Sequence, residues 1–132
     1  ITCAIDNEGN LMKPCFFTQV KTEEGKVIES TSFEKYKRLM SADEASVQRE
    51  MMEQVVLTGT ASKLKGLSYS AAGKTGSAEF NSQSDSHAWF TGYAPADDPE
   101  ICVTIIVENA GSGGSYAVPI AKRIFDAYFG VE

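Results

Sequence analysis

The chain has 132 residues, 42% of them hydrophobic, and its 18 acidic against 12 basic residues leave a net charge of −6. That length suits one small domain, and an acidic surface without a basic stripe argues against nucleic acid or anionic lipid as partners. No apolar run approaches the roughly 18 residues of a membrane-crossing helix. The three cysteines, Cys3, Cys15 and Cys102, form neither a complete disulfide set nor a Cys-x-x-Cys site, so free buried thiols are expected. With His87 as the only histidine, no metal site is expected, and nothing in the composition asks for a cofactor. Ile1 opens the chain without an initiator Met or a basic leader; the chain reads as processed, or as cut from something longer.

In chain order, "ITCAIDNEGN" reads as the last turns of a helix. "KPCFFTQVKTEEGKVIES" reads as two extended segments around Glu24-Gly25, a hairpin whose glycine supplies the positive φ. Residues 30–40 read as polar and irregular. Ser41, three residues before Glu44, has the spacing of a capping box. Val47, Met51 and Val55, with Met52 and Val56, then recur at helical intervals, and Gly59 is the expected stop. From Ala71 the period shortens: "AGKTGSAEF", "HAWFTGYAP" and "EICVTIIVEN", joined by short polar turns, predict an antiparallel three-strand meander. The third strand is apolar on both faces, Ile101, Val103, Ile105 and Val107 on one and Cys102 and Ile106 on the other, the pattern of an internal strand. A final helix is expected with Ala117, Ile120, Ala121, Ile124, Phe125 and Tyr128 on its buried face. Pro119 would sit in its first turn and Gly130 would end it. The fold class is therefore α+β: an antiparallel sheet, the meander plus a small N-terminal hairpin, packed with helices.

Gly73-Lys74-Thr75 could close a phosphate-binding loop. Such a loop needs a glycine at position 68, where Ser68 stands, and must run into a helix. The sequence after Lys74 is a strand, so the nucleotide reading fails. "AGSGG" before the last helix fails as a dinucleotide loop for a similar reason: residue 116 is Tyr116, and the preceding strand belongs to a meander. It reads as a glycine-rich turn that permits close packing.

Lys74-Thr75-Gly76 resembles the Lys-Thr-Gly strand of penicillin-binding proteins and serine β-lactamases. The likeness extends, in family order, over "IDNEGNLMKP" (5–14), "MMEQVVLTGTA" (51–61), "HAWFTGYAP" (87–95) and "GGSYAVPIAKRIFDAYF" (113–129). It implies a partial transpeptidase-like domain spanning 1–132, the C-terminal part of one penicillin-binding domain. The family's Ser-x-Asn motif does not occur here, and the Ser-x-x-Lys spacing of Ser32 to Lys35 in "SFEK" lies in a polar, helix-poor stretch where a buried, desolvated lysine is not expected. "SFEK" is read as chance, and the serine nucleophile as missing.

What the resemblance implies chemically is serine acyl transfer, the cross-linking of peptidoglycan stem peptides. Lys74 would place positive charge near the substrate carboxylate and the proton relay. Thr75 and Ser77 would offer it hydroxyls. Gly76 would let the substrate backbone lie against the strand. The Ser77 N–H would be one oxyanion donor, worth roughly 2.7–4 kcal/mol in the transition state. Ser77 stands where the family commonly has Thr.

Trp89 and Phe90 read as core residues, His87 as a surface residue at a turn end, Glu79 as a strand residue without a catalytic part, and Thr60 as a turn-shaping residue near the cleft. The implied partners are the stem peptide and β-lactams, plus the missing N-terminal part of the same domain. Edge pairing of the exposed third strand makes a dimer of the isolated chain a further expectation. The implied location is extracytoplasmic, on the outer face of the bacterial cytoplasmic membrane, with any anchor outside this segment. The alternatives are a penicillin-sensing module of the same fold and a serine β-lactamase.

Overall fold

In the computed structural model, which describes residues 1–131, the chain runs α1 (Thr2–Asp6), β1 (Asn10–Met12), β2 (Gln19–Lys21), β3 (Val27–Ser30), β4 (Lys35–Arg38), α2 (Ala42–Leu57), a 3-10 turn (Ser62–Leu64), β5 (Ala72–Ala78), β6 (His87–Ala94), β7 (Ile101–Val107) and α3 (Gly113–Phe129). The α+β class, the meander and the hairpin are as the sequence predicts.

β5, β6 and β7 form one antiparallel sheet in that order, with Thr75 opposite Phe90, Phe90 opposite Ile105, and Gly76 opposite Trp89. Strand side chains alternate between faces, so Gly73, Thr75, Phe90, Gly92 and Ile105 share one face and Lys74, Gly76, Trp89, Thr91, Tyr93 and Cys102 the other. Helix α3 covers the first face: Ala117, Val118, Ala121 and Phe125 pack with Phe90, Ile105, Leu64 and Val56. A smaller cluster of Ile5, Met52, Ala72 and Tyr93 covers part of the second. Helix α2 lies beside β5 and serves both clusters, Val56 in one and Met52 in the other.

The contact between α3 and the sheet depends on missing side chains. A Cβ at Gly73 would stand 2.5 Å from the Phe90 ring, one at Gly92 2.6 Å, and one at Gly113 2.2 Å from the Trp89 carbonyl oxygen and 2.6 Å from that of Gly76. The two strand glycines make the slot for the Phe90 ring, and Gly113 lets the start of α3 rest on the strand backbones. The glycine-rich turn is thus a close-packing device, as expected. Gly130 ends α3 in the left-handed region, φ 66°.

Helix α2 carries both halves of the expected capping box. The Ser41 Oγ accepts the Glu44 N–H at 3.2 Å, and the Glu44 carboxylate accepts the Ser41 N–H at 2.8 Å. Its buried face is narrower than the sequence suggests: Ala45, Met52 and Val56 are inside, whereas Val47 and Met51 face solvent. The apolar periodicity is real, but only the side turned to β5 and α1 meets a partner.

Three more expectations are corrected. Residues 30–40 are not wholly irregular, because β4 pairs with β1 and closes a nested pair of two-stranded ladders around the β2–β3 hairpin; that pairing joins segments far apart in sequence and leaves no local signature. Helix α3 buries Val118 and leaves Ile120, Ile124 and Tyr128 substantially exposed. Pro119 is inside α3 rather than in its first turn; the Ser115 carbonyl, which a proline cannot serve, instead accepts from Lys63 Nζ at 3.4 Å. As expected for this chain by itself, β7 is an edge strand among the described residues, and its outward Ile106 is 46% exposed. The thiols also differ from expectation: Cys3 and Cys15 are exposed and Cys102 half-buried, though all three are free.

Two predictions follow from this packing. Gly73→Ala should cost about 2–3 kcal/mol, because the methyl group overpacks a buried ring. Gly25→Ala, at an open hairpin tip with φ 84°, should cost about 1 kcal/mol through backbone strain alone. Urea unfolding of both variants measures the contrast, and equal losses would remove the Phe90 slot from the account.

The second concerns Asp126. It accepts from Lys122 Nζ at 2.6 Å and from the Tyr69 hydroxyl at 2.8 Å, and these hydrogen bonds hold its carboxyl below the ordinary value. The unfolded chain therefore binds the proton first as pH falls, so this stabilisation is full above the ordinary aspartate value and is lost as pH drops through the folded one. Asp126→Asn should be less stable than the parent at neutral pH, with the gap closing as pH falls below the ordinary aspartate value. A gap unchanged from pH 7 to pH 2 would contradict this.

Candidate functional site

β5 carries the candidate residues along the outer edge of the sheet, since β6 is its only strand neighbour among the described residues. Lys74 is exposed, and its Nζ donates to the Thr75 carbonyl at 2.7 Å. The Thr75 carbonyl is thus reachable from outside the ladder. In a strand the N–H and C=O of one residue point the same way and the pattern repeats every two residues, which puts the Ser77 N–H on that same open edge. Ser77 itself is exposed.

Thr75 is held from the side. Its hydroxyl lies 2.5 Å from that of Thr60, in the turn that follows α2. That turn is in turn pressed on α3, where a Cβ at Gly114 would stand 2.6 Å from the Thr60 carbonyl oxygen. Thr60 therefore does more than shape its turn, and this hydroxyl pair was not anticipated. The only sequence signal for it was "GTA" itself, whose distance from Thr75 is set by how α2 docks.

On the opposite face from α3, a groove of about 460 Å³ opens between the sheet and α1. Lys74, Thr75 and Gly76 line one side, Trp89 and Thr91 the floor, and α1 and Cys102 the far side. Trp89 is 37% exposed here, so it belongs to the groove and not to the core; Phe90, one residue on, points to the other face and is fully buried. Trp89 is apolar enough to read as core, and only the pairing partner and the covering helix decide its side. A Cβ at Gly76 would stand 3.2 Å from that of Trp89, so any larger residue there would both push the indole and fill the groove next to Lys74.

Thr91 anchors the far side. Its hydroxyl is 2.7 Å from that of Thr2 and 2.9 Å from that of Thr104. His87 takes no part in the groove: its Nδ1 accepts the Asn109 N–H at 3.1 Å and its ring stacks on Phe80 at 4.3 Å. It ties the turn after β7 to the start of β6, as a turn-end residue does. Glu79 is exposed and lies just past the end of β5.

Ser32 lies just before β4 and Lys35 is its first residue, and both are exposed, so "SFEK" does not supply the buried, desolvated lysine that a serine–lysine pair needs. Ser62 and Lys65, which have the same spacing around the 3-10 turn, are exposed as well. Among the described residues no cluster of His, Cys, Asp or Glu side chains is arranged to hold a metal ion, and no helix is long and apolar enough to cross a membrane.

The sequence matches the family model for the penicillin binding protein transpeptidase domain over residues 1–126. It is 31% identical over 138 aligned positions to the peptidoglycan D,D-transpeptidase PbpA of Mycolicibacterium smegmatis, covering 96% of this chain and 27% of that protein. Against the peptidoglycan D,D-transpeptidase MrdA of Haemophilus influenzae it is 42% identical over 74 residues, 46% of this chain and 11% of the relative. The fold matches the D,D-transpeptidase domain of a peptidoglycan glycosyltransferase from Eggerthella lenta with a TM-score of 0.81 at 31% identity, over 95% of this chain and 30% of that one. It matches the penicillin G acyl-enzyme complex of penicillin-binding protein A from M. tuberculosis with a TM-score of 0.84 at 27% identity, over 97% of this chain and 30% of that one. The chain thus spans at most about a quarter of the length of these curated relatives.

Proposed function

The chain belongs to the penicillin-binding protein transpeptidase family, and we propose that it is the C-terminal part of one such domain, supplying the Lys74-Thr75-Gly76 wall of a serine D,D-transpeptidase site. The observation that carries this reading is the placement of those three residues on an open sheet edge that borders a groove, inside a match to the family over nearly the whole chain.

In the proposed reaction a serine from outside these residues attacks the carbonyl between the two terminal D-alanines of a stem peptide. The last D-alanine leaves, and the amine of a second stem peptide then takes the acyl group and frees the serine. Lys74 places a cation beside the terminal carboxylate. The Thr75 hydroxyl donates to that carboxylate and is itself oriented by Thr60; the Ser77 hydroxyl adds a second donor. As the carbonyl becomes tetrahedral its oxygen gains charge, and the outward N–H of Ser77 is placed to receive it. Gly76 keeps the strand surface low enough for an extended peptide to lie along it. A β-lactam enters the same path, because it carries a carboxylate and a reactive amide in a similar arrangement, and its acyl-enzyme persists.

The substrate of such an enzyme lies in the cell wall, which places the proposed site of action outside the cytoplasmic membrane. The names of the relatives favour transpeptidation over the sensor and β-lactamase readings.

The isolated chain should form no covalent adduct with a fluorescent penicillin. A labelled band that disappears in Ser32→Ala would overturn this and make Ser32 a nucleophile. In the full-length protein, Lys74→Ala should slow acylation by a β-lactam on the order of 100-fold, the loss typical of removing one preorganised electrostatic contact, with an unchanged circular dichroism spectrum. An unaltered acylation rate in that variant would remove Lys74 from the site.

A further inference from the structure

The far side of the groove brings together two cysteines that the proposed reaction does not use. Cys3 lies on α1 and Cys102 on β7, and both line the groove. Two independent contacts dock α1 on this face of the sheet, one on each side of Cys3. The Thr2 hydroxyl meets that of Thr91 at 2.7 Å. Ile5 packs in the cluster with Tyr93, against which Cys102 also packs. In the sheet register Thr91 is opposite Thr104 and Tyr93 is opposite Cys102, so the residues that hold Thr2 and Ile5 are the cross-strand neighbours of Cys102 and of the residue two beyond it. Cys3 and Cys102 therefore line the same side of one groove, with Cys3 near enough to help raise the Cys102 thiol. Cys15 is separate: its Sγ donates to the Phe17 carbonyl and lines a different groove.

We propose that Cys3 and Cys102 are a disulfide-forming pair that fastens α1 to β7 across the far side of the groove. A bond from Cys3 to Cys102 would close a loop of about three quarters of the chain, β5 and β6 included, and a long loop is the case in which a cross-link restricts the unfolded ensemble most. The extracytoplasmic location proposed above would supply an oxidising compartment, but the pairing itself rests on the geometry.

The chemistry is thiol–disulfide exchange with a small disulfide oxidant such as oxidised glutathione. The exposed Cys3, as thiolate, attacks one sulfur of the oxidant and expels one glutathione thiolate, leaving a mixed disulfide on Cys3. Cys102, as thiolate, then attacks the Cys3 sulfur and expels the second. Two protein thiols lose two protons and two electrons, and one oxidant disulfide becomes two thiols. Burial pushes the Cys102 thiol up, so the second step waits on deprotonation and accelerates as the pH is raised.

The test is to incubate the folded chain with oxidised glutathione, quench with acid, and count thiols and map peptides without reduction. The expected result is a fall from three thiols to one, a mass loss of about 2 Da, and a linked peptide joining Cys3 to Cys102. Cys15→Ser should still form the link. Cys102→Ser should stop at a glutathione adduct on Cys3. Three thiols remaining after incubation at pH 9, a Cys3 adduct that never resolves in the parent chain, or linkage only through Cys15 would overturn the pairing. None of these readouts depends on acyl transfer, so the result stands apart from the proposed function.

Discussion

The constraint on which the structure depends is the absence of side chains at Gly73, Gly92 and Gly113. The Phe90 ring occupies the space that two Cβ atoms would need, and the first turn of α3 rests where a third would meet the backbones of Gly76 and Trp89. Close approach on this scale leaves no room for adjustment, since protein interiors pack as densely as organic crystals. Once α3 is seated, the Ala117, Val118, Ala121 and Phe125 face fills the remaining volume and the register of the meander is held.

The same seating decides what the other face can do. A strand that buries alternate residues under a helix must present the intervening ones on the opposite side. Burying Phe90 therefore exposes Trp89 to the groove, and covering Thr75 from the side of Thr60 leaves Lys74 and Gly76 on the groove wall. The candidate site is the unavoidable counterpart of the α3 core. Its edge position matters equally: β5 has one strand neighbour among the described residues, so backbone groups at Thr75 and Ser77 remain available to something outside the sheet.

Much of this was legible from residues. The capping box at Ser41 and Glu44 was readable because both partners lie within one turn. The meander was readable because Gly73-Lys74-Thr75 is followed by alternating, turn-punctuated sequence and not by a helix, and that same observation separated a transpeptidase-like strand from a nucleotide loop. The β1–β4 pairing was not readable, because its partners are distant in sequence and both strands are too short to show an alternating pattern. The inward faces of α2 and α3 were read too broadly. Val47, Met51, Ile120 and Ile124 obey helical periodicity, yet periodicity says only that a face is apolar and not how much of it a neighbour covers. Pro119 was misplaced because the helix begins earlier, at the glycine pair, than a proline-at-the-start rule suggests.

By itself the sequence determined the kinds and order of elements, the family likeness in "AAGKTGSAEF" and its flanking segments, and the candidate strand residues, since each of these rests on neighbours within a few positions or on an ordered string of motifs. Tertiary structure alone decided which face Trp89 joins, that the Thr60 hydroxyl meets that of Thr75, and that Cys3 and Cys102 line one groove. Each of those facts is a distance between residues far apart in the chain. Such distances are set by how the helices seat on the sheet, and that seating is governed by the volumes missing at three glycines.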